Sequence, residues 1–70
     1  MMFEVGERVH VRFPTGGVRR DDPFVVIECP EDRSPNLTWV KYDGPYDPLR
    51  SWTTKDAPMG FFWESLKAAS

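Results

Sequence analysis

In a strand expected over residues 7–13, positions 8–13 alternate polar and apolar one for one, with Val9, Val11 and Phe13 set between Arg8, His10 and Arg12. A period of two is that of a strand with one buried face, so the apolar set is expected inward and the basic set outward. Gly6 before this stretch and Pro14-Thr15-Gly16-Gly17 after it mark its turns. The apolar run at residues 24–29, bounded by Asp21-Asp22-Pro23 and by Pro30, predicts the most buried strand. Periodicity does not choose its inner face, and Val25 and Ile27 are assigned to the core with Val9, Val11 and Trp39. A third strand is predicted over residues 37–42, after a polar loop at 30–36 whose two prolines resist regular pairing. A fourth is predicted over residues 51–55, where Trp52, Thr53 and Thr54 are good β-formers, paired with the third across the long loop 43–50. In residues 59–69, Phe62, Leu66 and Ala69 fit helical spacing while Phe61 and Trp63 fit a strand. Gly60 and the bulky aromatics disfavour a helix starting early, so a short strand over 61–63 is expected, followed by a helical turn or tail.

Five short strands in 70 residues predict a single all-β domain spanning 1–70. A small five-stranded SH3-like partly open barrel is the architecture that hides most strand edges at this size. A domain this small buries only about 60% of the surface its unfolded chain exposes, so its stability is expected to be marginal. Cys29 is the only cysteine and His10 the only histidine. An intramolecular disulfide is thus impossible, and a Cys/His zinc site would need ligands from another chain. With 14% aromatic residues, ring burial is the remaining source of core area. The sequence shows neither a basic-then-apolar leader pattern nor an apolar run of about 18 residues, so a soluble, reducing, cytoplasmic setting is expected.

The stretch Phe3-Glu4-Val5-Gly6-Glu7-Arg8-Val9-His10-Val11 resembles the opening F-x-V-G-[D/E]-x-V of the first strand in many SH3-like barrels, Tudor-like and KOW-like domains among them. It is most similar to the RNA-polymerase-interacting domain of CarD-type transcription regulators, carried by Phe3, Val5, Gly6 and Val9. The resemblance implies a Tudor-like module that docks on the β subunit of bacterial RNA polymerase. After Phe13 the sequence departs: the Pro14 to Val18 turn is only loosely comparable, and no counterpart of those regulators' helical DNA-binding domain is read here.

Charge is unevenly placed. Residues 1–20 carry Arg8, Arg12, Arg19 and Arg20 against Glu4 and Glu7, a balance of +2; residues 21–70 carry five Lys or Arg against nine Asp or Glu, a balance of −4. A sequence pI near 5.2 disfavours a dedicated nucleic-acid binder, for which a domain pI above about 9 is usual. Catalysis finds no support: one strand histidine makes no Ser/His/Asp or Cys/His constellation, and Gly16-Gly17 lacks the GK[ST] of a phosphate loop. Cys29, ending an apolar strand, reads as a small buried hydrophobe rather than a nucleophile, and Asp21 and Asp22 read as turn formers and solvated charges. The expectation is a non-enzyme without metal or cofactor.

Two surfaces are candidate sites. The outward strip Arg8, His10, Arg12, extended by Arg19 and Arg20, suits a phosphate backbone or an acidic protein patch, since guanidinium groups bond bidentately to either. Its plainer reading is the polar face of a strand, neutralised by Glu4, Glu7, Asp21 and Asp22. In the stretch WVKYDGPYDPLRSWTT at 39–54, alternation forbids all the rings from being core if Trp39 faces inward with Leu37. Tyr42, Tyr46 and Trp52, near Asp43, Asp47 and Arg50, have the composition of an aromatic cage or a peptide groove. Covered by Phe61, Phe62 and Trp63, the same rings would be one mixed core. The function expected is a binding module that docks on a partner protein, in its most specific version a component of the transcription machinery. The alternatives are nucleic-acid binding through the arginine strip and a self-associating assembly subunit, for instance a homodimer.

Overall fold

The computed structural model describes residues 3–54 and 57–69. Five strands, β1 (Arg8–Val11), β2 (Phe24–Val26), β3 (Thr38–Tyr42), β4 (Met59–Phe61) and β5 (Leu66–Ala68), form one open sheet in the order β4-β3-β2-β1-β5. Every neighbouring pair is antiparallel. The fold is all-β and five-stranded, as the turn spacing predicts. The strands at the two edges, β4 and β5, both reach one core: Phe61 and Met59 pack against the cluster that holds Leu66, Val9, Val11, Phe24, Val26, Val40 and Tyr42. The sheet therefore wraps around a single apolar centre, leaving its two edges unjoined.

The inner face is set by register. Val9 is inward and stands opposite Phe24, which in turn stands opposite Tyr42, while Val26 faces Val40. Phe24 and Val26 are consequently buried, and Val25, between Arg8 and Lys41, is outward and half-buried. Ile27 is half-buried as well, its N–H still bonded to the Trp39 carbonyl at 2.8 Å. The assignment of Val25 and Ile27 to the core is corrected: a shift of one residue exchanges the two faces of a strand. Phe13, expected inward, lies beyond the end of β1 and is exposed.

Trp39 is buried, with 8% exposure, but not beside the core residues. Val40 and Tyr42 take the inner face of β3, which turns Trp39 outward under the 30–36 loop. Its indole N–H donates to the Ser34 carbonyl at 2.8 Å, and the Arg33 guanidinium lies 5.8 Å from its ring centroid. Across the ladder stands Gly60, where a Cβ would meet Leu37 Cδ1 at 2.8 Å and two Trp39 ring carbons at 3.0 Å. Glycine here lets β4 close onto the indole.

The fourth strand expected at 51–55 is replaced by a 3-10 turn, Ser51–Thr53, inside a long β3–β4 connection; Lys55 lies outside the described residues. Thr53 Oγ1 donates to the Arg50 carbonyl at 2.7 Å and accepts the Asp47 N–H at 2.8 Å. Those bonds offer the backbone an alternative to a ladder, and they outweigh threonine's preference for strands. The strand that pairs with β3 is Met59–Phe61, overlapping the expected 61–63 only at Phe61. A second 3-10 turn, Trp63–Ser65, supplies the helical turn expected after it. The chain then returns to extended structure as β5, where a tail was the expectation, because Leu66 fills the core opposite Val11.

Candidate docking surfaces

The β3–β4 connection is tied to the β1–β2 loop by Arg50. Its Nη1 donates to Asp22 Oδ2 at 2.6 Å and to the Gly17 carbonyl at 3.2 Å, and its Nε donates to Asp47 Oδ2 at 3.1 Å. The guanidinium lies 5.0 Å from the Trp52 ring centroid and 5.9 Å from that of Tyr42, within cation–π range. Behind it, Trp52 stacks on Phe24 at 5.9 Å and meets Tyr42 edge-on at 5.4 Å. The aromatic and acidic composition of this segment is that of a site for a cation. The cation is the chain's own Arg50, already cradled by two rings and two carboxylates.

The carboxylates are positioned from several sides. Asp22, expected as a solvated charge, is instead buried, because Arg50 pairs with it and its Oδ2 also accepts the Arg19 N–H at 2.7 Å. Asp47 Oδ1 accepts the Leu49 N–H at 2.9 Å, and this bond, followed by that from Arg50, holds the Asp47 carboxyl below the usual carboxylate range. The Asp22 bond in particular pushes the Arg50 pKa further up, so the cation is permanent. Asp43 N–H reaches back to the Pro23 carbonyl at 2.9 Å, and a Cβ on Gly44 would overlap the Tyr42 hydroxyl group. The result is a loop pinned at both ends and through its middle.

Its tip is apolar and uncovered. Tyr46 is 61% exposed and Leu49 is 93% exposed. The four residues singled out in this stretch thus divide: Tyr42 is core, Trp52 is half-buried between core and cradle, Arg50 is the half-buried tie, and Tyr46 faces solvent. Leu49 was missed by sequence reasoning. A single leucine between Pro48 and Arg50 carries no periodic signal, although its place in a Pro-rich turn was readable.

The arginine strip separates into two groups. Arg8 forms an ion pair with Asp43 at 2.7 Å, and half-buried His10 donates from Nδ1 to the Asp22 carbonyl at 3.0 Å. Arg12, Arg19 and Arg20 are exposed on the β1–β2 loop, and among the described residues they form no ion pair. Arg12 lies over the Phe13 ring, 5.8 Å from its centroid.

A cleft of about 240 Å³ opens at the other end of the sheet. Val5 before β1, Ile27 and Glu28 after β2, Leu37 and Trp39 at the start of β3, and Trp63 after β4 contribute to its walls. Val5 and Trp63 stand exposed at this cleft. Because four separate segments build it, no local sequence pattern announces it. Cys29, expected to be buried, is exposed on the wall of the cleft because it lies beyond the end of β2, and its thiol donates to the Pro30 and Arg33 carbonyls, each at 3.4 Å. Among the described residues, no three His, Cys, Asp or Glu side chains are grouped to share a metal ion, and no helix is long and apolar enough to cross a membrane.

Comparison with family models, with curated proteins and with solved structures finds no match.

Proposed function

We propose that the protein is a non-enzymatic docking module that presents the tip of its β3–β4 connection, Tyr46 and Leu49, to a partner protein. One observation carries this reading: two large apolar side chains stand in solvent on a loop held by Arg50, Asp22, Asp47 and Thr53. An exposed apolar tip on a loose loop would lose its ordering entropy on binding. On a pinned loop that cost has been met during folding, which is how preorganisation raises affinity. Interface energy concentrates in a few anchors, and Tyr is among the residue types enriched there. Arg50, Trp52 and Tyr42 act from behind as positioning residues. The first-strand resemblance to the RNA-polymerase-interacting domain of CarD-type regulators supports a component of the transcription machinery as the partner.

The test is capture of partners by the immobilised protein, in parallel with Tyr46→Ala and Leu49→Ala, with circular dichroism confirming that each variant folds. Purified β subunit of bacterial RNA polymerase serves as a defined probe. The expected result is a partner retained by the unmodified protein and weakened by about 2 kcal/mol in at least one variant, the size of a hot-spot truncation. A partner bound equally by both folded variants would move the site off this loop.

A further inference from the structure

The cleft between Val5, Ile27, Leu37, Trp39 and Trp63 is smaller than the roughly 300–1,000 Å³ of small-molecule pockets. It is ample for one aromatic ring, since an apolar void of about 150 Å³ holds a benzene. Among the described residues, Glu28 is the only charged side chain on its walls. The chemistry that fits is therefore a single ring with a cation beside it.

The protein carries that pair on its own surface. Phe13 is 69% exposed, and Arg12 lies against its ring. Among the described residues, of the exposed large apolar side chains Val5, Phe13, Tyr46, Leu49, Phe62 and Trp63, Phe13 alone adjoins an arginine outside an ion pair; the arginine next to Leu49 is tied to Asp22 and Asp47. The two features are built on different stretches of the chain. The loop carrying Arg12 and Phe13 enters β2 at Phe24, whereas the cleft is built where the chain leaves β2 at Ile27 and Glu28.

We infer that the cleft receives the Phe13 ring of a second copy, with the Arg12 guanidinium against Glu28, so that copies join head to tail. Such an interface is heterologous: each copy added leaves one ring and one cleft unused, and growth continues until a ring closes or a filament forms. The contact uses neither Tyr46 nor Leu49 and stands apart from the docking proposed above.

Sedimentation velocity from micromolar to millimolar protein at low salt tests it. The mass of the unmodified protein is expected to climb from that of the 8.1 kDa chain with concentration and to fall back as salt screens the Arg12–Glu28 pair. Phe13→Asp and Glu28→Arg should each weaken association roughly tenfold or more. Mixed together, they should give a dimer that grows no further, because one retains a working cleft and the other a working ring. Arg12→Glu combined with Glu28→Arg should restore growth, and Tyr46→Ala should leave it unchanged. An unmodified protein that stays monomeric throughout overturns the inference. So does an unmodified protein whose mass stops at a dimer, as a symmetric interface would dictate, a folded Phe13→Asp or Phe13→Ser variant that associates like the parent, or a mixture that fails to pair.

Discussion

At the scale of residues, the Asp47 carboxylate makes the clearest link between local chemistry and stability. Its folded pKa is lowered, first by the Leu49 N–H and then by Arg50, from the ordinary value of 3.8. A group of this kind contributes stability that is fully present above the unfolded pKa and is lost as pH falls through the folded one. Asp47→Asn should therefore melt below the parent at neutral pH, with the gap closing under acid. Thermal melts of both proteins across the acid range check this; a gap that stays constant would mean the carboxylate charge is not what the loop uses. The same residues show how far sequence reading reached. Tyr42, Trp52 and the nearby acids were readable as a place for a cation, because rings and carboxylates both favour positive charge. That Arg50 would fill it was not readable, since the closure depends on Asp22, which the chain supplies from a different loop.

At the scale of elements, strand existence followed from period and turn chemistry, and strand position was decided by contacts that lie far apart in sequence. β1 and β3 fall where alternation and β-propensity put them. β4 falls elsewhere because Thr53 commits its hydroxyl to local backbone and because the glycine opposite Trp39 leaves room for the indole and for Leu37. Gly60→Ala tests the second cause. Its Cβ would press on Leu37 and on the Trp39 ring, and overpacking of this kind costs about 1–3 kcal/mol. Urea unfolding should show a lower midpoint with an unchanged slope. Indole fluorescence is a local readout, because the ring that must yield is held by the Ser34 carbonyl. A variant as stable as the parent would mean that β4 is free to shift along β3.

At the scale of the whole molecule, the decisive pairing is the one between β1 and β5, the strands nearest the two ends of the chain. Sequence reading counted five strands yet left residues 66–68 in a helical turn or tail, because Leu66 fits helical spacing with Phe62 and Ala69. What recruits it is the space opposite Val9 and Val11, a property of the assembled core and not of the segment. Leu66 is buried there, Ala69 N–H bonds the Arg8 carbonyl at 3.0 Å, and Arg12 N–H bonds the Ser65 carbonyl at 2.7 Å. With so small a core, no subset of strands holds enough apolar area to stand alone, so β5 is expected to open only when everything opens. Native-state hydrogen exchange should give amides at the β1–β5 ladder protection close to that at β2–β3, converging on the global unfolding free energy. If β5 exchanged orders of magnitude faster while β2 and β3 stayed protected, it would be an edge that frays from a four-stranded core.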